Sequence, residues 1–173
     1  RIPIIELDAY YRDLADVSEH ERATRNFDAP EALDEALLIA HLGALAAGRA
    51  VEKPLYDFVR HTRSNETECV QPAAFVIIEG LFALFWEAVR DLLEVRMFLD
   101  APSHVCLERR IRRDICERGR NAESVREQFW GHAMPMYERH VRPTRAYATL
   151  VLNGEQAPEV LVQEAVNHLR GLG

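Results

Sequence analysis

The stretch IPIIELD, residues 2–8, decides the fold class that this sequence predicts. Residues 2–7 are nearly all apolar, which is typical of a parallel strand that is buried on both faces. Asp8 follows directly, and open α/β sheets bind their ligands at the carboxyl ends of such strands. The alternative is that Asp8 caps the N-terminus of a helix, a common use of aspartate.

A second stretch repeats this pattern. Residues 75–78 read FVII and predict another buried strand, and Glu79 and Gly80 follow it. Mg²⁺ prefers a few carboxylates together with waters and phosphate oxygens. Two strands that each end on an acid therefore predict a magnesium site built from Asp8 and Glu79.

Further strands and helices alternate along the chain. Apolar runs predict strands at residues 95–99 and 148–152. Apolar residues at helical spacing predict helices at residues 31–47, 86–94, 103–117, 123–140 and 156–169. This alternation predicts a single α/β domain over residues 1–173, with a parallel sheet and helices on both of its faces.

Residues 54–72 interrupt the alternation. They show no helical period, and polar residues cluster at 64–66. The pattern predicts a β-hairpin with its tip at that cluster. Tyr56, Phe58, His61 and Arg63 give the hairpin an aromatic and polar face that suits a flat ring.

An arginine-rich stretch lies at residues 108–120, ERRIRRDICERGR, where six arginines stand against three acids in a chain of net charge −7. A cationic patch in an acidic chain indicates a local anion and not a nucleic acid, which calls for a broad basic face. Arginine suits phosphate because its planar fork binds two oxygens, and Gly119 predicts a helix end and a mobile turn. The alternative is a solvated helix face with i,i+4 ion pairs at Glu108–Arg112 and Asp114–Arg118.

Cysteine usage and hydropathy indicate the compartment. Cys69, Cys106 and Cys116 show neither a CxxC motif nor metal-ligand spacing. They are interpreted as reduced thiols, and we expect a cytoplasmic protein. No apolar run in the sequence has the length of a membrane span, so no membrane partner is expected.

Six motifs occur along the chain: LDAYYRD (7–13), NFDAPEALD (26–34), PLYDFVRHTR (54–63), VIIEG (76–80), RRIRRDICERGR (109–120) and RPTRAYA (142–148). In this order and at this spacing, they resemble the uridine–cytidine kinase family of P-loop kinases along nearly the whole chain. The hairpin motif followed by ERGR favours this family over phosphoribulokinases and bacterial pantothenate kinases, which share the fold.

The resemblance implies a role for each matching residue. Asp8 matches the catalytic acid that faces the ribose 5′-hydroxyl, and Glu79 matches an acid near Mg²⁺; both would meet the metal through water. Arg113 and Arg118 match a lid over the ATP phosphates, at about residues 108–121. Further positions match nucleoside contacts: Tyr11, Phe27, Asp28, Tyr56, Phe58, His61, Arg110, Arg120 and Gln128.

The resemblance also implies an activity. It predicts transfer of a phosphoryl group from ATP, or GTP, to the 5′-hydroxyl of uridine or cytidine, giving UMP or CMP in pyrimidine salvage. Mg²⁺ is the expected cofactor, and a homo-oligomer, tetramer or dimer, is the expected assembly. The hairpin would be an insertion that binds the nucleoside.

The chain departs from the family pattern at several positions. The family begins with a strand and a glycine-rich P-loop ending in Gly-Lys-Ser/Thr, and this sequence contains no such motif. We therefore expect a strand and a P-loop before Arg1 in the natural protein, and an inactive fragment without them. Near Met134, at Thr149 and at Asn153-Gly154 the sequence also differs, which affects expected adenine-side and lid contacts.

Two other function classes remain open at this point. One is a non-catalytic relative that binds a nucleoside or nucleotide, which the absent P-loop favours. The other is a kinase for another small hydroxylated substrate, of the phosphoribulokinase or pantothenate kinase type. An acid at the position of Asp8 favours an enzyme, because a binding protein has no need of one at the reacting hydroxyl.

Overall fold

Two parallel strand pairs form the framework of the fold, one in each half of the chain. The computed structural model describes residues 2–23 and 25–172. The chain falls into two units, Arg1–Leu93 and Glu94–Gly173, hereafter unit 1 and unit 2. Parallel strands alternating with helices confirm the predicted α/β class. The single domain over residues 1–173 and the helices on both faces stay predictions.

Unit 1 carries the first parallel pair and an antiparallel hairpin. Its order along the chain is β1 (Ile4–Glu6), a 3-10 segment (Leu7–Tyr10), α1 (Glu19–Ala23), a second 3-10 segment (Pro30–Ala32), α2 (Glu35–Ala46), β2 (Val51–Asp57), β3 (Thr62–Val70), β4 (Ile77–Glu79) and α3 (Glu87–Arg90).

Strands β1 and β4 pair in parallel, with Ile5 opposite Ile78 and Glu6 opposite Glu79. Ile5 is fully buried, whereas Ile4 is 45% exposed. The predicted strand over residues 2–7 is therefore shorter and is buried on one face in unit 1. It ends early because the backbone turns into the 3-10 segment at Leu7.

Helix α2 begins four residues later than the sequence pattern predicted. The Asp34 side chain accepts a hydrogen bond from the Leu37 backbone N–H at 3.2 Å and caps the helix. Pro30–Ala32 forms a separate 3-10 segment before it. The buried stripe is Leu38, Leu42 and Leu45.

Strands β2 and β3 form the predicted hairpin, which begins at Val51. Its tip lies at residues 58–61, so the predicted tip at 64–66 is wrong. The Asp57 carboxylate accepts hydrogen bonds from the backbone N–H groups of Val59 (2.9 Å) and Arg60 (3.0 Å). This local turn places the chain reversal before the polar cluster, which lies within β3.

Unit 2 carries the second parallel pair, in which Asp100 lies opposite Asn153. The sequence predicted that four parallel strands form one sheet. Among the described residues, these strands instead form two separate hydrogen-bonded pairs. The order in unit 2 is β5 (Met97–Asp100), α4 (Ser103–Arg118), α5 (Ala122–Gln128), a π segment (Phe129–Ala133), α6 (Met134–Met136), a second π segment (Tyr137–Val141), a 3-10 segment (Arg142–Tyr147), β6 (Leu150–Asn153) and α7 (Pro158–Arg170).

Helix α4 matches its prediction and ends at Gly119, whose φ of 62° lies in the left-handed region that glycine adopts easily. The helix predicted over residues 123–140 is a continuous helical path with two π segments. Pro135 lies between them and has no N–H to donate, so the regular hydrogen-bond ladder is interrupted there.

Helix α7, the cysteines and possible membrane-spanning helices are the remaining features. Helix α7 forms as expected but buries none of its residues within unit 2. All three cysteines are free, in agreement with the predicted reduced thiols, and all three are exposed. In the described ranges, no helix has both the length and the apolarity to cross a membrane.

Candidate functional site

Three acids of unit 1 lie around the carboxyl ends of β1 and β4. Glu6 and Glu79 are the last residues of the two strands and lie opposite each other in register. Asp8 follows two residues after Glu6, in the first turn of the 3-10 segment. That segment has Glu6 at its N-cap position, so the alternative interpretation of Asp8 as a helix cap is wrong. Sequence reasoning missed Glu6, although it ends an apolar run just as Glu79 does.

Burial and the two neighbouring acids raise the proton affinity of Glu79. Burial raises the pKa of Glu79, and the nearby negative charges of Asp8 and Glu6 raise it further. A cation at this edge would relieve that repulsion, so the residues fit the implied Mg²⁺. Across residues 2–23 and 25–172, no group of three His, Cys, Asp or Glu could hold a metal by itself. Mg²⁺ here would therefore take most of its ligands from water and phosphate.

Glu6 has a partner that sequence reasoning did not identify. Lys53, on β2, is 4% exposed and forms ion pairs with Glu6 and, at 2.9 Å, with Glu68. Burial raises the pKa of Glu6, but the hydrogen bond and charge of Lys53 outweigh it and hold that pKa below its usual range. Lys53 thus joins the hairpin to β1 and neutralises one acid of the edge.

Glu79→Gln should raise the melting temperature slightly at pH 7 to 8 when no metal is present. A carboxyl with a raised pKa in the folded state favours folding at low pH, and this contribution is lost as the pH rises through that pKa. The neutral amide removes the loss, so the difference from the parent should vanish below the ordinary pKa of 4.5. Thermal unfolding between pH 4 and 8 measures this.

The matched control for that measurement is Glu66→Gln, which removes an exposed acid from β3 of the same unit. It should leave the pH dependence of the melting temperature as in the parent. A Glu79→Gln protein whose stability difference from the parent is the same at pH 4 and pH 8 would contradict the assigned repulsion.

Five aromatic side chains, all predicted nucleoside contacts, form one cluster in unit 1. Tyr11 contacts Phe27 and Tyr56 with ring centroids 5.6 and 5.3 Å away. Tyr56 contacts Phe58 at 5.3 Å, and Phe27 stacks on His61 at 4.4 Å. Because that last pair is already in contact, a base could not lie between those two rings in this arrangement. The half-buried Asp28 follows Phe27 directly in the chain.

Two polar groups of this cluster could form hydrogen bonds with a ligand. The Tyr56 hydroxyl is buried and makes no hydrogen bond within the described part of the chain, and burial raises its pKa to about 12. A buried hydroxyl without a partner is unfavourable, so a bound polar ligand would stabilise it. Burial, and next the charge of Arg22, lower the pKa of His61. Its ring is therefore neutral at pH 7 and can both donate and accept hydrogen bonds.

Arg63 ties the hairpin to the segment that carries Asp8 and Tyr11. Its guanidinium donates to the backbone oxygens of Tyr11 at 2.9 Å and Tyr10 at 3.3 Å. It also forms an ion pair with Asp34 at 3.2 Å. Sequence reasoning included Arg63 in the hairpin face for a flat ring but did not identify these contacts to Tyr10, Tyr11 and Asp34.

In unit 2, the predicted arginines converge on one buried carboxylate, Asp114, which is fully buried. The interpretation of Asp114–Arg118 as a solvated surface pair is therefore wrong. Gln128 joins the cluster, since its side-chain oxygen accepts hydrogen bonds from Arg110 at 3.2 Å and from Arg120. The closest nitrogen–oxygen distances to Asp114 are 3.8 Å from Arg110, 2.8 Å from Arg113, 3.8 Å from Arg118 and 3.6 Å from Arg120.

The chain is similar to known kinases. Residues 2–162 match the model of the Phosphoribulokinase / Uridine kinase family. A uridine kinase from Halalkalibacterium halodurans is 40% identical over 99% of this chain and 81% of its own length. One from Lactococcus lactis is 43% identical over 88% and 74%. The solved phosphoribulokinase from Rhodobacter spheroides has a TM-score of 0.62 at 17% identity, covering 86% of this chain and 58% of its own.

Proposed function

The chain belongs to the phosphoribulokinase/uridine kinase family, and on that premise we propose that it is an ATP-dependent nucleoside kinase whose acceptor is the 5′-hydroxyl of uridine or cytidine. The products would be UMP or CMP and ADP, as in pyrimidine salvage. Relatives named uridine kinase, 40% and 43% identical to this chain, support the proposal.

The observation that carries the acceptor class is the aromatic cluster of unit 1. Its rings lie on the hairpin and on the segment that follows Asp8, where Tyr11 contacts both Phe27 and Tyr56. A flat base gains stacking energy on such rings, whereas a sugar phosphate or an acyclic acid does not. The buried Tyr56 hydroxyl without a hydrogen-bond partner among the described residues adds a polar group for the same ligand.

The proposed mechanism assigns the proton to Asp8. Its carboxylate accepts the proton of the 5′-hydroxyl as that oxygen attacks the γ-phosphorus, and the bond to the β-phosphate oxygen breaks. Asp28 accepts hydrogen bonds from the ribose hydroxyls. Arg113 and Arg118 neutralise the charge that develops on the transferred group.

The remaining residues hold the reactants. Arg110, Arg120 and Gln128 contact the nucleoside, and His61 reads an edge of the base. Asp8 and Glu79 would hold Mg²⁺ through water. That ion would supply positive charge to the ATP phosphates.

A product assay with the full-length protein tests this function. Incubation with ATP, Mg²⁺ and uridine or cytidine should give UMP or CMP and an equal amount of ADP. Pantothenate and ribulose 5-phosphate serve as acceptors of the alternative classes. Turnover of either one without turnover of nucleosides would overturn the acceptor assignment. Nucleoside binding without any product would identify a non-catalytic binding protein.

His61→Ala should weaken uridine binding and leave ATP binding unchanged. His61 is assigned to an edge of the base, and losing one such hydrogen bond typically costs about 0.5–1.5 kcal/mol, or roughly a two- to tenfold change in Kd. Calorimetric titration of each ligand measures both affinities. The matched control is Val59→Ala at the same hairpin tip, because Val59 is 91% exposed. Equal losses for uridine and ATP would contradict the assignment of the hairpin to the base.

A further inference from the structure

Asp114 is a buried charge in α4, whose other residues are half-buried or exposed. Of the residues in α4, it is the one that the structure buries. A carboxylate without solvent is unfavourable unless cations pair with it, and four guanidinium groups lie within 4 Å of it. The carboxylate in turn reduces the mutual repulsion of those four groups.

The two oxygens of Asp114 divide the arginines into pairs. Oδ1 faces Arg113, whose Nε donates to it at 2.9 Å, and Arg118 at 3.8 Å. Oδ2 faces Arg110 at 3.8 Å and Arg120 at 3.6 Å. The Oδ1 pair is the one assigned above to the ATP phosphates, and the Oδ2 pair is the one assigned to the nucleoside.

The Oδ2 side is further joined by Gln128, which accepts hydrogen bonds from both arginines of that pair. The Oδ1 pair is more exposed, at 45% for Arg113 and 41% for Arg118, against 19% for Arg110 and 31% for Arg120. The two pairs therefore share one carboxylate, and a ligand that moved the Oδ2 pair would change the position of the anion that the Oδ1 pair contacts.

We propose that Asp114 is a positioning residue that couples the nucleoside-contacting arginines to the phosphate-contacting arginines through its two oxygens. This rests on the proposed nucleoside kinase function. Binding of the nucleoside then arranges Arg113 and Arg118 for ATP, and the two substrates increase each other's affinity. Such coupling is reciprocal and is typically at least about fivefold.

Asp114→Asn tests the coupling, because the amide keeps the shape of the side chain and removes its charge. In the full-length parent, uridine should tighten the binding of AMP-PNP with Mg²⁺ by about fivefold or more in calorimetry. In Asp114→Asn this increase should disappear, and kcat should fall by about 10- to 100-fold because the arginines are misplaced. The control Glu117→Gln removes the same charge from an exposed position of α4 and should retain both the coupling and kcat.

The outcomes separate this inference from the proposed function. A parent that turns over neither uridine nor cytidine overturns the function and this inference with it. An active parent whose Asp114→Asn variant retains the coupling and kcat overturns the role of Asp114 alone. An active parent in which uridine does not change the affinity for AMP-PNP also overturns the role of Asp114 and leaves the proposed function intact.

If Asp114→Asn fails to fold, the unaltered protein still decides the question by NMR. The Arg113 Nε–H signal should shift when uridine is added alone, because the nucleoside acts on it through Asp114. The signal of the exposed Arg112 on the same helix should stay in place. An unchanged Arg113 signal at saturating uridine would overturn the coupling.

Discussion

Asp8→Asn should lower kcat by about 10²–10⁴-fold while uridine still binds. The size of the effect is typical of losing a general base, since the amide cannot accept the proton of the attacking hydroxyl. The side chain keeps its volume, and Asp8 is an exposed residue of the 3-10 segment. Its replacement should therefore leave the fold intact. Steady-state kinetics with uridine and ATP, together with calorimetry of uridine alone, measure the two quantities.

The control for this experiment is Asp16→Asn, an exposed acid that follows Asp8 in the same unit. It should turn over uridine like the parent, because no catalytic role is assigned to it. An Asp8→Asn protein with parental kcat would show that another group accepts the proton. A variant that loses uridine binding and turnover together would instead place Asp8 in substrate binding.

Gly80→Ala should lower the free energy of unfolding by about 2–6 kcal/mol. An added Cβ at this position would lie 2.7 Å from the Cβ of Leu7, which is 1% exposed. The Cβ of Leu7 is fixed to the backbone, so the side chain cannot move aside by a change of rotamer. The φ of Gly80 is 143°, a backbone conformation that residues other than glycine rarely adopt. Overpacking and backbone strain each contribute about 1–3 kcal/mol.

Urea denaturation of the parent and the variant measures this loss. Gly43→Ala is the matched control, because it lies within α2 and an added Cβ would meet nothing within 4 Å. It should be neutral or stabilising by about 0.4–1 kcal/mol. A Gly80→Ala protein as stable as the parent would mean that the close approach between Gly80 and Leu7 is absent in solution.

Local sequence patterns predicted the elements whose signals lie within a few residues. Helix α4 ends at Gly119, as glycine between arginines predicted, because glycine takes the left-handed conformation without strain. The hairpin was predicted from its lack of a helical period. Its tip was misplaced because polar composition was weighed more than turn chemistry. The Asp57 carboxylate, which caps the N–H groups of the turn, was the local signal that could have located it.

Strand lengths and helix starts were less predictable. The apolar run at residues 2–7 does not show that the backbone leaves the strand at Leu7, because that turn depends on packing of Leu7 and Tyr10 in the core. The start of α2 was visible in part, since Asp34 is a common capping residue. The earlier start at Glu31 was predicted because Leu33, upstream of Asp34, continues the apolar spacing of the helix.

The sequence by itself determined the fold class, the family and the residues that carry the proposed chemistry, because apolar periodicity and motif spacing are properties of the chain alone. Tertiary structure decided which charges are buried. The sequence left open that Asp114 lies on a solvated helix face and indicated no role for Lys53, yet the two residues are 0% and 4% exposed. Their burial depends on partners that folding brings together, Glu6 for Lys53 and a cluster of arginines for Asp114. A buried charge is stable only when such partners surround it, and no local pattern contains that information.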